Sequence, residues 1–301
     1  DMIIAVTNSD ETNMVACQVA YTLFHTPTKI ARVRSLDYQN NPGIFSQEAL
    51  PIDVLISPEQ IVTKYISRLI SFPGALQVLD FADGKAQMFA IRVAKDGLLV
   101  GRKISEMCKQ LSNVDYRVVS IFREGAAIIP DGNTMIADSD ELFIIGAPKH
   151  IKALLKAVKQ KEKPVKRVII AGGGNIGIRL AKALEKDYQV KLIELDIEQA
   201  HKASEELKHT IVLQGDAADA DLLIEENIDE TDVFCALTNA DEANIISCML
   251  AKRLGAPKVM SLINRAAYVD LVQSDVIDIA ISPQQATIGS LLAHIRRGDV
   301  V

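Results

Sequence analysis

The stretch "KRVIIAGGGNIGIRLAKALEKDYQVKLIEL" (Lys166 to Leu195) decides the fold. Its first seven residues are a short aliphatic run ending in glycine, which reads as a parallel strand buried on both faces. Apolar residues at helical spacing follow from Ile176 to Asp187. Gln189 to Leu195 reads as strand again. Strand, glycine loop, helix and strand in about 30 residues make a βαβ unit, which folds into a parallel sheet with a right-handed crossover.

The loop inside that unit carries the chemistry. Gly172, Gly174 and Gly177 form G-x-G-x-x-G. The first glycine permits the tight turn, the second lets a pyrophosphate approach the backbone, and the third lets helix pack closely on strand. The amides of Asn175 and Ile176 open the helix and face the phosphates, helped by the helix dipole. A glycine loop alone is weak evidence, since an empty sheet can keep it for the turn. Here Glu194 closes the second strand at the distance expected of a carboxylate that accepts hydrogen bonds from ribose hydroxyls. A carboxylate there repels a 2′-phosphate, which favours NAD or an adenosine nucleotide over NADP.

Downstream the alternation continues. Thr210 to Gly215, Val233 to Asn239 and Lys258 to Asn264 read as strands, with helices at Ala220 to Ile228 and Asp241 to Leu254. Ligands in such folds bind at the carboxyl ends of the strands. Three further loops fall there. "GDAAD" places Asp216 and Ala217 beside an adenine, although Asp216 could instead cap the next helix. "LTNADE" brings Thr238 and Asn239 to the crevice, either as turn and N-cap residues or as ligand contacts. Arg265 follows the fifth strand, where it could reach a phosphate or simply lie at the surface.

This second half is partly a copy of the first. "VTNSDETNMVAC" (Val6 to Cys17) answers "LTNADEANIISC" (Leu237 to Cys248), and "IDVLISPEQ" (Ile52 to Gln60) answers "IDIAISPQQ" (Ile277 to Gln285). Order and spacing are kept, so a whole structural unit is duplicated. Asp1 aligns with Asp232, at the fourth strand of the plan. We therefore expect a fragment whose first copy lacks its N-terminal half, or a half completed by another chain. Residues 1–72 read as the C-terminal half of a first Rossmann-like domain. Residues 73–160 read as a small α+β domain: strands around an "ADGK" turn, a helix near Ile104 to Leu111, a hairpin at Tyr116 to Pro130, a strand at Asp140 to Pro148 and a closing helix. Residues 161–301 read as the second Rossmann-like, nucleotide-binding domain, entered through the lysine-rich linker Lys159 to Arg167. The fold class is thus α/β: duplicated doubly wound parallel sheets separated by a small α+β domain.

Composition narrows the function. Of 301 residues, 49% are hydrophobic and 24% charged, which is globular. A net charge of −6 argues against nucleic acid as a partner. No run approaches the roughly 20 apolar residues that cross a bilayer. Cys17, Cys108, Cys235 and Cys248 form no CxxC pair, so neither a zinc site nor a disulfide framework is expected. Cys17 and Cys248 share one place in the repeat and read as small buried packing residues. Asp80, Asp83, Asp131, Asp138 and Asp140 of the small domain read as turn residues, with no metal-ligand spacing. No catalytic set emerges: His25, His150, His201, His209 and His294 all fall in or beside predicted helices.

The glycine loop, Glu194, the "GDA" after the third strand, the "TNxDExN" block and "ISPQQATI" together resemble the regulator-of-K⁺-conductance (RCK, or KTN) family over essentially the whole chain. The resemblance implies a regulatory subunit and not an enzyme, cytosolic and peripheral on the inner membrane. Its partner would be a membrane potassium-translocating subunit. It implies a homo-oligomeric, tetrameric ring, the small domain being an RCK C domain. The regulatory ligands would be NAD(H) and/or ATP or ADP, between which the residues do not choose. The rivals are an NAD-dependent oxidoreductase and a nucleotide-free assembly scaffold.

Overall fold

The computed structural model describes residues 1–81, 85–93, 99–110, 115–150, 164–272 and 276–295. They form three sheets. The first is parallel and three-stranded, in the order β1 (Met2–Ala5), β2 (Thr28–Arg32), β3 (Val54–Ile56). Between β1 and β2 runs α1 (Asp10–Phe24). It is capped by the Ser9 hydroxyl, which accepts from the Thr12 amide, and has Asp10 and Glu11 at its positive end. The chain next passes through α2 (Leu36–Gln39), and after β3 comes α3 (Pro58–Ser71). A small core of Ala5, Met14, Cys17, Ala31, Val33 and Ile52 holds this unit together.

The middle unit is an antiparallel five-stranded sheet in the order β4-β5-β8-β6-β7, built from β4 (Ala75–Phe81), β5 (Ala86–Arg92), β6 (Tyr116–Arg123), β7 (Ala126–Ile128) and β8 (Glu141–Gly146), with α4 (Ile104–Gln110). Phe89, Ile91, Met107, Ile121 and Leu142 fill its core. Asp140 is fully buried and takes a two-pronged bond from Arg123 at 2.7 and 2.8 Å, plus the Ala137 amide at 2.8 Å. Asp131 makes a turn, accepting from the Asn133 amide and the Thr134 hydroxyl at 2.9 Å each. The "ADGK" turn with Asp83, the closing helix and most of the lysine-rich linker lie outside the described residues. No group of three or more metal-ligating side chains occurs among the described residues.

The third sheet is parallel and six-stranded, in the order β11-β10-β9-β12-β13-β14. Its strands are β9 (Arg167–Ala171), β10 (Gln189–Glu194), β11 (Ile211–Gln214), β12 (Val233–Ala236), β13 (Val259–Leu262) and β14 (Ile279–Ile281). The helices between them are α5 (Asn175–Leu184), α6 (Ile197–Glu206), α7 (Ala220–Glu225), α8 (Asp241–Arg253) and α9 (Ala266–Val272), and α10 (Pro283–Ile295) follows the last strand. The strand order reverses between β9 and β12, which makes the crevice there the topological switch point. Both repeat copies end in the same device: Ser57 and Ser282 accept from the Gln60 and Gln285 amides, each at 3.3 Å, with proline next in the chain.

The copies exchange packing. α3 leaves the first sheet and lays Val62, Ile66, Leu69 and Ile70 into the core of the third, among Val168, Ile170, Ile178, Leu180, Ala181 and Leu184. It packs on α5 and α10 and then leads through Phe72 to Gly74 into β4 of the middle unit. Gly74 has φ +86°, a turn conformation that suits a residue without a side chain. No described helix is long and apolar enough to cross a membrane.

Candidate nucleotide site at the switch point of the third sheet

Two glycines of the fingerprint are held to their identity by neighbours, and the third faces open space. Gly172 has φ +108°, and a side chain there would meet the Thr238 amide nitrogen at 3.0 Å. A Cβ on Gly177 would stand 1.9 Å from the Gly172 carbonyl oxygen, so α5 could not seat against β9. Around the Cβ position of Gly174 nothing lies within 4 Å: this residue faces open space. Gly174 is also the N-cap of α5 and offers no side-chain cap, so the first-turn amides of Asn175 and Ile176 keep their donors turned toward that space.

Glu194 stands beside the loop. Its Oε2 accepts a short hydrogen bond from the Gly173 amide, and its Oε1 accepts from the Asp196 amide at 2.9 Å. The two N–H groups fix the carboxylate at the end of β10. Gly173 escaped the motif reading, yet a Cβ there would meet Glu194 Oε2 at 3.0 Å. A run of three glycines, one more than the fingerprint needs, was the signal that could have found it.

The other sequence-selected residues divide. Asp216 and Ala217 follow Gly215, whose amide donates to the Glu194 carbonyl at 2.9 Å, so they line the crevice beside the acid. Asp216 does not cap α7. It accepts from the Ala218 amide at 2.8 Å, while Asp219 is the cap. The capping alternative fails because the helix begins three residues later than that role requires. Thr238 packs on Gly172, but neither it nor Asn239 is the N-cap of α8; that position is Ala240, with no side-chain bond. Asn239 is exposed at the crevice. Arg265 lies at the end of β13, two strands from β9 and so about 10 Å across the sheet. Its guanidinium already donates to Glu242 at 2.9 Å and to the Tyr268 hydroxyl at 2.8 Å. Those contacts, the tyrosine hydrogen bond first, raise its pKa further.

The repeated block now has a physical account. Asn244 is fully buried. Its Oδ1 accepts from the Thr238 amide at 3.0 Å and its Nδ2 donates to the carbonyls of Thr238 and Leu262 at 2.9 and 3.0 Å. Asn13 does the same for Thr7 (2.7 and 3.2 Å) and Arg32 (2.9 Å). Asp241 grips the amides of Asn264 and Arg265 at 2.9 Å each, and Asp10 grips those of Arg34 and Ser35 at 2.8 Å each. Glu242 meets Tyr268 as Glu11 meets Tyr38. Threonine, aspartate, glutamate and the last asparagine of "TNxDExN" thus tie neighbouring strand ends together in both copies. The side chain of the first asparagine takes no part in this bracing, although in the first copy the Asn8 carbonyl accepts from the Arg34 guanidinium.

Three of the four thiols are ill suited to chemistry. Cys17, Cys235 and Cys248 are fully buried, and burial pushes the Cys248 thiol up to about 12. A cavity of about 660 Å³ lies at the opposite, amino-terminal ends of β9 to β11. Its cations Arg167 and Lys191 pair with Glu230 and Glu226, and it lies at the end of the sheet away from the glycine loop.

A doubly wound parallel sheet with a glycine loop at its switch point and an acid closing the next strand defines a Rossmann-like α/β unit, here preceded by a partial copy of itself and a small α+β unit. The TrkA-N domain profile matches residues 1–58 and 168–283, and the TrkA-C domain profile matches residues 88–159. The chain belongs to this TrkA domain family. It is 56% identical to the Trk system potassium uptake protein TrkA of Vibrio alginolyticus and 57% identical to that of Halomonas elongata, with all of this chain aligned in each case. The chain spans 66% of the length of those relatives. The GsuK channel shares the fold at a TM-score of 0.70 and 21% identity, over 98% of this chain and 52% of that one. The GsuK channel bound to NAD matches at 0.68 and 21%, with the same coverage.

Proposed function

We propose that this chain is a non-catalytic, nucleotide-binding regulatory part of a Trk-type potassium uptake system. Ligand occupancy at Gly172 to Gly177 and Glu194 shifts domain packing, and a membrane potassium-translocating subunit reads that shift. The observation that carries this reading is the physical route out of the site. α5 opens at the glycine loop and packs on α3, and α3 runs directly into the middle unit. A ligand drives such a shift only if it binds one arrangement more tightly than another. A tenfold preference is worth about 1.4 kcal/mol per site, and sites in an oligomer add.

The ligand class we infer is NAD(H) and/or ATP or ADP, since the Glu194 carboxylate suits free ribose hydroxyls. The structures of GsuK solved with NAD and with ADP support both. Asp216, Ala217, Thr238 and Asn239 would contact the nucleoside, and Arg265 a phosphate only after leaving Glu242. Homo-oligomerisation in a ring, on the cytosolic face of the inner membrane, belongs to the same reading. Matching outer faces support it: Val15 on α1 and Ile246 on α8 occupy one repeat position and are 58% and 56% exposed. The three-unit division at residues 72 and 160 is part of the proposal.

Calorimetric titration with NAD⁺, NADH, ATP and ADP tests the site, beside a Gly174→Asp variant. Gly174 sits in open space with φ −73° and N-cap geometry, which aspartate accepts, so the variant folds while its carboxylate occupies the phosphate position. Binding that disappears in the variant supports the reading. Flat titrations of the folded chain, or binding unchanged in the variant, overturn it.

A further inference from the structure

α5 touches more than the ligand site. Asn175 and Arg179 are four residues apart and share one face of the helix, about 6 Å apart along its axis. Asn175 opens the helix at the glycine loop. Arg179 reaches the other repeat copy: its Nη2 donates to the Arg34 carbonyl at 2.5 Å and its Nη1 to Gln39 Oε1 at 3.3 Å. Gln39 in turn donates to the Val33 carbonyl at 2.6 Å.

Residues 33–40 form the loop and short helix at the carboxyl end of β2. This segment is held from two sides. Asp10, of its own copy, grips the Arg34 and Ser35 amides, and the Arg34 guanidinium donates to the Asn8 carbonyl. Arg179, of the other copy, holds the Arg34 carbonyl. The segment is therefore the strand-end crevice of the first sheet, pinned to the first turns of the helix that begins at the ligand loop of the third. Burial of the Arg179 guanidinium lowers its pKa, and Glu59 of α3 opposes that. Taking a guanidinium out of water is costly unless its donors are matched, so the contact is specific rather than incidental.

We propose that Arg179 is a positioning residue that couples ligand occupancy of the glycine loop in the third sheet to the conformation of residues 33–40 in the first. The proposal rests on the nucleotide reading above and adds the route between the copies. A phosphate drawn to the amides of Asn175 and Ile176 acts on a ten-residue helix that moves as one body. Arg179 carries that motion to a charge-assisted hydrogen bond, which is sensitive to small displacements. Coupling is reciprocal: a rearrangement of residues 33–40 changes the affinity of the glycine loop by the same factor. The apolar packing of α5 on α3 is a separate link and survives removal of the guanidinium.

The test is hydrogen exchange at the amides of residues 34–41 in the full chain, with and without saturating ADP or NAD⁺, alongside calorimetry. Arg179→Met removes both donors, and Arg179→Lys keeps the charge but lacks the planar fork. In the unaltered chain, ligand is expected to change protection of this segment. In both variants ligand still binds at the glycine loop, its affinity shifts by about fivefold or more, and the ligand-dependent change in protection is lost. A merely structural arginine would raise exchange equally with and without ligand and leave the response intact, which overturns the proposal. Binding to the unaltered chain with no response at residues 34–41 overturns it while leaving the nucleotide reading in place. No binding at all defeats both.

Discussion

Replacing Asn244 with alanine tests the reason for the internal repeat. The side chain is fully buried and makes three hydrogen bonds to backbone groups: the Thr238 amide, the Thr238 carbonyl and the Leu262 carbonyl. The Thr238 hydroxyl also donates to it, at 2.6 Å, but that hydroxyl has the Ala240 amide at 3.2 Å as another partner. The deletion therefore orphans chiefly the Thr238 amide and the Leu262 carbonyl. An unsatisfied buried backbone group costs about 1–3 kcal/mol, so the expected loss for the two is about 2–6 kcal/mol. It will appear in urea denaturation followed by circular dichroism as a lower midpoint at unchanged slope. The chain has no tryptophan, so fluorescence offers little. Because Thr238 packs on Gly172, nucleotide binding is expected to weaken together with stability. Asn13→Ala is expected to act on the first sheet and spare binding at the third. A loss below about 0.5 kcal/mol for Asn244→Ala, the range of an ordinary surface change, would refute the bracing argument.

Glu194→Gln keeps the size of the side chain but removes its charge. It is expected to weaken NAD⁺ binding about tenfold and to narrow the gap between NAD⁺ and NADP⁺, read by parallel titrations. Asp140→Asn breaks the pair with Arg123 and is expected to cost the middle unit about 2–3 kcal/mol. That is below the range for a fully buried pair, because Arg123 reaches solvent. Burial raises the Asp140 pKa, but Arg123 and the Ala137 amide outweigh it and hold the carboxyl below its usual value. The stability it contributes is therefore full above the unfolded value of about 4 and is lost as pH falls through the lower folded value. Acid unfolding of the middle unit should accordingly move to higher pH in Asp140→Asn.

The duplication, the alternation of strand and helix, and the doubly wound plan were all legible because they are local signals. Strand runs, helical spacing and the glycine loop each lie within about 30 residues. Gly177 illustrates why such a motif is readable: a Cβ would stand 1.9 Å from the Gly172 carbonyl oxygen, a constraint between residues five apart. The roles inside "TNxDExN" were only half legible. Threonine, asparagine and aspartate serve turns, caps and ligands equally well, and the partners of Asn244 and Asp241, Leu262 and Arg265, lie 18 and 24 residues away.

What the sequence by itself determined is therefore the units: two copies of one α/β plan, the strand that carries the glycine loop, and the acid beside it. Only the tertiary structure decided how the units share their faces. An apolar stripe on α3 says that something must cover it, not that the cover is the other copy's sheet. Arg179 and its acceptors Arg34 and Gln39 are separated by 145 and 140 residues, a distance over which spacing carries no information. Arg265 reads as a free cation until Glu242 and Tyr268 are seen to hold it. Periodicity tells which side of an element is buried; the partner is chosen by packing and by the need to satisfy each buried donor and acceptor.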